Sequence, residues 1–189
     1  MVCAFDDAAW VMVRLSSKTR SLLGWIPVIL LIVALQWFTG KDMPQGGKAP
    51  DLQGVMIDGH PYPGLYRLPK PALIYFWASW CGICRMMQST VVDIAGDVPV
   101  MTVAFQSGDR ATVSGYMNKS GFEVPAIVDE DGTLGQAYGI HGVPALFFLD
   151  GAGHIRYVSM GYTTWIGIRL RLWLASRQGL FPVGRVEQF

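Results

Sequence analysis

From Ala72 to Trp77 (ALIYFW) the chain is an unbroken apolar and aromatic run of strand length. A strand without a polar side is covered on both faces, as in the middle of a sheet with helices above and below. Helical spacing takes over from Gly82 towards Ala95, where Met86, Met87, Thr90, Val91 and Ile94 are placed to form a buried stripe. Cys81 and Cys84 stand where the strand gives way to the helix. The fold must therefore bury a strand completely while leaving a pair of thiols at its end.

The remaining chain extends this pattern. Val98–Phe105 is a second apolar strand, and Asp109–Ser120 a helix behind an aspartate cap with Val113, Tyr116 and Met117 on one face. A short strand at Ala126–Asp129, a turn at Asp131-Gly132 and a brief helix at Thr133–Tyr138 follow. Ala145–Leu149 and Ile155–Ser159 read as strands joined by the hairpin signal Asp150-Gly151-Ala152-Gly153, and Thr164–Arg177 as a closing helix. Upstream, residues 51–70 hold short apolar stretches broken by Asp58-Gly59 and prolines, which suggests a hairpin or irregular strands. Strands alternating with helices pair in parallel, and terminal hairpins add antiparallel strands. The expected class is α/β, a mixed central sheet flanked by helices.

The chain has 3 cysteines. A single C-x-x-C has three common meanings: half of a zinc site, a redox dithiol, or coincidence. Structural zinc needs a second ligand pair further along, but no further cysteine follows and His60, His141 and His154 are scattered singly. A redox reading fits the location. A thiol attacks as its thiolate, and a sulfur at a helix N-terminus meets unpaired N–H groups and the positive end of the helix dipole. Cys81 would be the exposed attacking sulfur and Cys84, one turn later, the shielded resolving one.

The segment Phe76-Trp77-Ala78-Ser79-Trp80-Cys81-Gly82-Ile83-Cys84-Arg85 resembles the active-site segment of the thioredoxin superfamily. A second landmark, Gly142-Val143-Pro144 before the Ala145 strand, resembles that family's cis-proline loop. The likeness covers about Pro50 to Ala175 and is nearest to the membrane-tethered TlpA-like group. Cys81-Gly82-Ile83-Cys84-Arg85, Gly161-Tyr162-Thr163-Thr164 and Leu170-Arg171-Leu172-Trp173-Leu174 narrow it to the suppressor-of-copper-sensitivity D proteins.

The resemblance implies a thioredoxin-like fold and catalysis by Cys81 and Cys84, with support from Trp80, Gly82, Ile83, Val143 and a cis Pro144. It implies no cofactor beyond the redox-active disulfide, and protein thiols or disulfides of the cell envelope as substrates. A reducing role would add a membrane electron-transfer partner. There are departures. Tyr75 stands where thioredoxin has a buried acid assisting the resolving thiol, so that proton acceptor is missing. Ala145 stands where cytochrome-maturation relatives carry an acid, and Ile83 where strongly oxidising enzymes favour His. Two other uses of the dithiol remain: copper(I) held by Cys81, Cys84 and His141, or reduction of haem-site cysteines in cytochrome c maturation. Met86 and Met87 are soft ligands too, but their helical spacing directs at least one to the core.

Apolar residues make up 51% of the chain against 15% charged, an excess with a definite address. Residues 21–40 (SLLGWIPVILLIVALQWFTG) carry no charge, match the roughly 20 residues a spanning helix needs, and have Trp25, Trp37 and Phe38 near the ends. A core helix would show a polar face. A cleaved signal peptide would show small residues where Leu35, Gln36 and Trp37 stand. An uncleaved anchor is the better reading. Arg14, Lys18 and Arg20 precede it without an intervening acid, which places the N-terminus in the cytoplasm and the rest, in a bacterium, in the periplasm.

The expected organisation is a cytoplasmic segment 1–20, an inner-membrane anchor 21–40, a flexible linker 41–50 and a thioredoxin-like domain 51–189. Cys3 would then lie across the membrane from the dithiol. A net charge of +1 leaves no electrostatic footprint for nucleic acid. The terminal helix, with Trp165, Trp173, Arg169, Arg171 and Arg177, is expected to pack on the sheet rather than touch lipid.

Overall fold

The structure, a computed structural model, describes residues 46–178. Cys3, the segment 1–20, the span 21–40 and the first half of the linker lie outside the described residues. Among the described residues no helix is long and apolar enough to cross a membrane.

The strands are β1 (Gly54–Met56), β2 (Pro61–Tyr62), β3 (Ala72–Trp77), β4 (Val100–Phe105), β5 (Ala126–Asp129), β6 (Ala145–Leu149) and β7 (Ile155–Met160). The helices are α1 (Gly82–Ala95), α2 (Arg110–Ser120), α3 (Thr133–Ala137) and α4 (Trp165–Gln178), with a single 3-10 turn at Leu65–Arg67. They form one mixed sheet in the order β2-β1-β5-β4-β3-β6-β7. β3 pairs in parallel with β4, and β4 with β5, whereas β6 runs antiparallel to β3 and β7 to β6.

The all-apolar run thus becomes an interior strand, all six of its residues buried. Leu73, Tyr75 and Trp77 point into a core built with Met87, Val91 and Ile94 of α1, Val113 and Met117 of α2, and Ile168, Leu172 and Ala175 of α4. Ala72, Ile74 and Phe76 point the other way, onto Leu52, Leu65, Leu68 and Tyr138. Period-2 alternation in a strand of uniform polarity supplies both cores.

Local differences from the sequence expectation have physical causes. Met86 is 63% exposed, and Gln88 replaces it in the buried stripe, where its amide donates to the Tyr116 hydroxyl at 3.0 Å. β4 begins at Val100 rather than Val98, because Pro99 has no N–H for a ladder; its carbonyl accepts from Leu73 N. Residues 46–49, read as part of the linker, lie along the edge of the sheet. Gly46 N donates to Ile155 O at 2.8 Å and Ile155 N to Gly47 O at 2.9 Å, while Ala49 N donates to Gly153 O at 3.0 Å. An edge strand offers unpaired backbone groups, and this segment satisfies some of them.

Candidate functional site

The site is assembled at the carboxyl end of β3. Trp77 is fixed first: its indole N–H donates to Thr102 Oγ1 at 3.2 Å, and its ring stacks on Tyr116 and meets Phe122 edge-on. The loop that follows is tied to the end of β4. Ser79 N donates to Ser107 Oγ at 3.0 Å, and the Trp80 indole N–H to Gln106 O at 2.9 Å. Gln106 itself sits at φ 44°, a left-handed conformation uncommon outside glycine. Neither Gln106 nor Ser107 stood out in the sequence; the Gln-Ser-Gly turn directly after a buried strand was the available signal.

Held this way, the chain enters α1 with Cys81 as its N-cap. Cys84 N–H donates to Cys81 Sγ at 3.1 Å, so sulfur takes the role that Ser or Asp oxygen plays in other caps. Cys81 and Cys84 are joined as a disulfide, their Cα atoms 5.2 Å apart. Cys81 retains 7% of its accessibility and Cys84 none. Cys84 is sealed as expected, but Cys81, expected to be exposed, is buried as well, because the disulfide and the facing Val143 carbonyl cover its sulfur.

Across a narrow gap lies the 142–144 loop. The Val143 carbonyl oxygen is 3.6 Å from Cys81 Sγ, and the Val143–Pro144 peptide is cis. Gly161 N donates to Pro144 O at 2.9 Å, which ties this loop to the end of β7. The surroundings are apolar and exposed: Trp80, Ile83 and Met86 on the α1 side, Met160 and Tyr162 beyond the proline. Gly82, which follows Cys81, has open space where a side chain would be.

The structure also places Tyr75 and His141. Tyr75 is fully buried in the same core as Cys84, and its hydroxyl has no hydrogen-bond partner among the described residues. Burial, reinforced by neighbouring Tyr116, pushes that hydroxyl well above the ordinary phenol range. It stays protonated at neutral pH, so Tyr75 supplies no base to the resolving thiol. His141 is exposed on the loop. Among the described residues no three His, Cys, Asp or Glu side chains gather where they could hold a metal ion.

Chemically, the arrangement presents one sulfur at a helix N-terminus, a second sulfur sealed behind it, and a backbone carbonyl facing the first. Residues 44–166 match the Redoxin family model. The chain belongs to the Redoxin family. Among its relatives, a thioredoxin-like protein of Haemophilus influenzae is 32% identical over 108 residues, covering 57% of this redoxin and 64% of that protein. The thiol:disulfide interchange protein DsbE of Yersinia pestis is 32% identical, with 66% of this redoxin and 61% of the relative covered. The chain thus spans a little under two thirds of the length of these relatives. DsbE of Pseudomonas aeruginosa is 31% identical, with coverages of 70% and 80%.

Solved structures agree on the fold. MTB DsbF superposes with a TM-score of 0.61 at 25% identity, over 68% of this redoxin and 99% of that chain. A DsbE-like protein of Chlorobium tepidum gives 0.63 at 22% identity, over 70% and 98%. The fold of the redoxin is therefore thioredoxin-like.

Proposed function

We propose that this redoxin is a protein thiol:disulfide oxidoreductase of the DsbE type, tethered to a bacterial inner membrane by residues 21–40 and acting on envelope proteins in the periplasm. One observation carries the chemistry: Cys81 Sγ accepts the Cys84 N–H at the head of α1 while facing the Val143 carbonyl. The uncharged run of residues 21–40 and the Lys and Arg residues before it support the tether.

In the reducing direction, Cys81 thiolate attacks a substrate disulfide and one substrate thiolate leaves. Cys84 thiolate then attacks Cys81 Sγ, the second substrate thiolate leaves, and two electrons have passed to the substrate. The oxidising direction is the reverse, opened by a substrate thiolate on Cys81 Sγ. The reduction potential relative to its partners sets the direction. A partner embedded in the membrane would regenerate the reduced form, and a short linker would raise the frequency of that encounter.

Replacing the resolving thiol tests this reading. Cys84→Ala is expected to accumulate mixed disulfides between Cys81 and envelope proteins, visible as adducts that dithiothreitol releases. A trapped apocytochrome would assign the redoxin to cytochrome c maturation. Tight copper(I) retention with no trapped protein would instead favour metal handling and overturn the exchange reading.

A further inference from the structure

α4 is apolar on two sides. Ile168, Leu172 and Ala175 are buried against the sheet, as the sequence suggests. On the outward side Trp165, Ile166, Leu170 and Trp173 remain 43%, 71%, 54% and 49% exposed. Together with Pro71 and Val98 they line a shallow groove. Contiguous exposed apolar surface on one helix face marks an interaction site more often than chance exposure.

The polar groups bordering this face are mostly cationic. The Arg169 guanidinium lies 4.6 Å from the Trp165 ring centroid, and that of Arg177 4.2 Å from Trp173. α4 carries Arg169, Arg171 and Arg177 and no acidic side chain. Asp97, after α1, pairs with Arg169 and offsets one of these charges. Tryptophan and arginine together, with aliphatic residues between them, suit the boundary between acyl chains and anionic headgroups.

We propose that the outward face of α4 rests on a lipid bilayer surface, with Trp165, Ile166, Leu170 and Trp173 entering the headgroup–acyl boundary and the arginines meeting lipid phosphate. The inference rests on the membrane-tethered reading above. The path of the chain supports it. Gly46 N is bonded to Ile155 O at the start of β7, and α4 packs on β6 and β7. Residues 41–45, which connect the apolar run to Gly46, span at most about 18 Å when extended. A linker of that length would keep residues 46–178 near any bilayer that residues 21–40 cross.

The full chain, reconstituted into vesicles of phosphatidylglycerol and acyl-brominated phosphatidylcholine, tests the contact. An NBD fluorophore is placed at Ile166→Cys in a Cys3→Ser background, with Cys81 and Cys84 held as their disulfide; Gln53→Cys, beside β1, carries the reference label. Bromolipid quenching is expected to be roughly threefold stronger at position 166 than at 53. It should fall to the reference level in Leu170→Glu/Trp173→Glu, with the rate of dithiothreitol oxidation unchanged.

Equal quenching at the two positions overturns the proposal. So does shielding of the 166 label that persists without lipid and grows with protein concentration, as docking of a second copy would produce. Carbonate extraction reads the tether separately. A chain recovered in the carbonate supernatant overturns the membrane-spanning reading, and quenching by vesicles added to that chain still decides the α4 face.

Discussion

At the scale of single residues, the reactivity of this redoxin depends on what Cys81 Sγ meets. The Cys84 N–H points at it from 3.1 Å, and the first turn of α1 has no side chain of opposite effect, since Gly82 and Ile83 are uncharged. After reduction, those same donors favour the thiolate over the thiol. Cys81 is therefore expected to be alkylated ahead of the sealed Cys84 once the disulfide is reduced. Limited iodoacetamide labelling of the reduced full chain, read by peptide mapping, checks this; equal labelling of the two sulfurs would remove the basis for calling Cys81 the nucleophile. Tyr75 does not alter the expectation, because burial keeps its hydroxyl protonated.

At the scale of elements, α1 and α4 show how one helix divides its sides. α1 buries Met87, Gln88, Val91 and Ile94 and turns Met86 outward beside Trp80 and Ile83. α4 buries Ile168, which is fully covered, while Ile166, two positions earlier, is 71% exposed. Truncating these two isoleucines should therefore give unequal results. Ile168→Ala leaves a cavity between helix and sheet and is expected to cost about 3 kcal/mol. Ile166→Ala removes only exposed surface and should change stability by less than about 0.5 kcal/mol. Urea unfolding of both variants measures the difference, and equal costs would mean that α4 is not seated as described.

For the whole molecule, the β6–β7 hairpin joins the sheet edge to the entering chain, and Asp150 holds the hairpin. Its carboxylate is completely buried and accepts from Ala152 N at 2.8 Å, His154 N at 2.9 Å and Arg156 Nε at 2.7 Å. Burial by itself would raise this carboxyl, but the donors and the Arg156 charge outweigh it and leave it below the usual carboxylate range. A folded-state value below the unfolded one means that the ionised group favours the fold at neutral pH. That contribution is lost as pH falls through the depressed folded value. Asp150→Asn is expected to cost roughly 2–3 kcal/mol at neutral pH. The gap from the parent chain should close as pH drops below about 4. Denaturant titrations at neutral and acidic pH test this, and a gap independent of pH would place the effect elsewhere.

Much of this architecture follows from local pattern. The ALIYFW run, the C-x-x-C at its end and the Asp-Gly-Ala-Gly turn each specify backbone conformation within a few residues, because polarity period and turn chemistry are properties of neighbouring side chains. The bounds of β3, α1 and β5 could be read directly for that reason, and so could the position of the dithiol at a strand-to-helix junction. Contacts between distant segments were not legible in this way. Packing assigned Gln88 instead of Met86 to the core, because Tyr116 from α2 arrives with a hydroxyl for its amide. The β7 edge captured residues 46–49, since unpaired backbone groups there accept any segment long enough to reach them. Trp80 was anchored by Gln106, 26 positions away, and α4 was left with an apolar face uncovered. Sequence determined which elements form and where the sulfurs stand. Tertiary structure decided what surrounds them, because burial and hydrogen-bond partners depend on which distant surfaces come together.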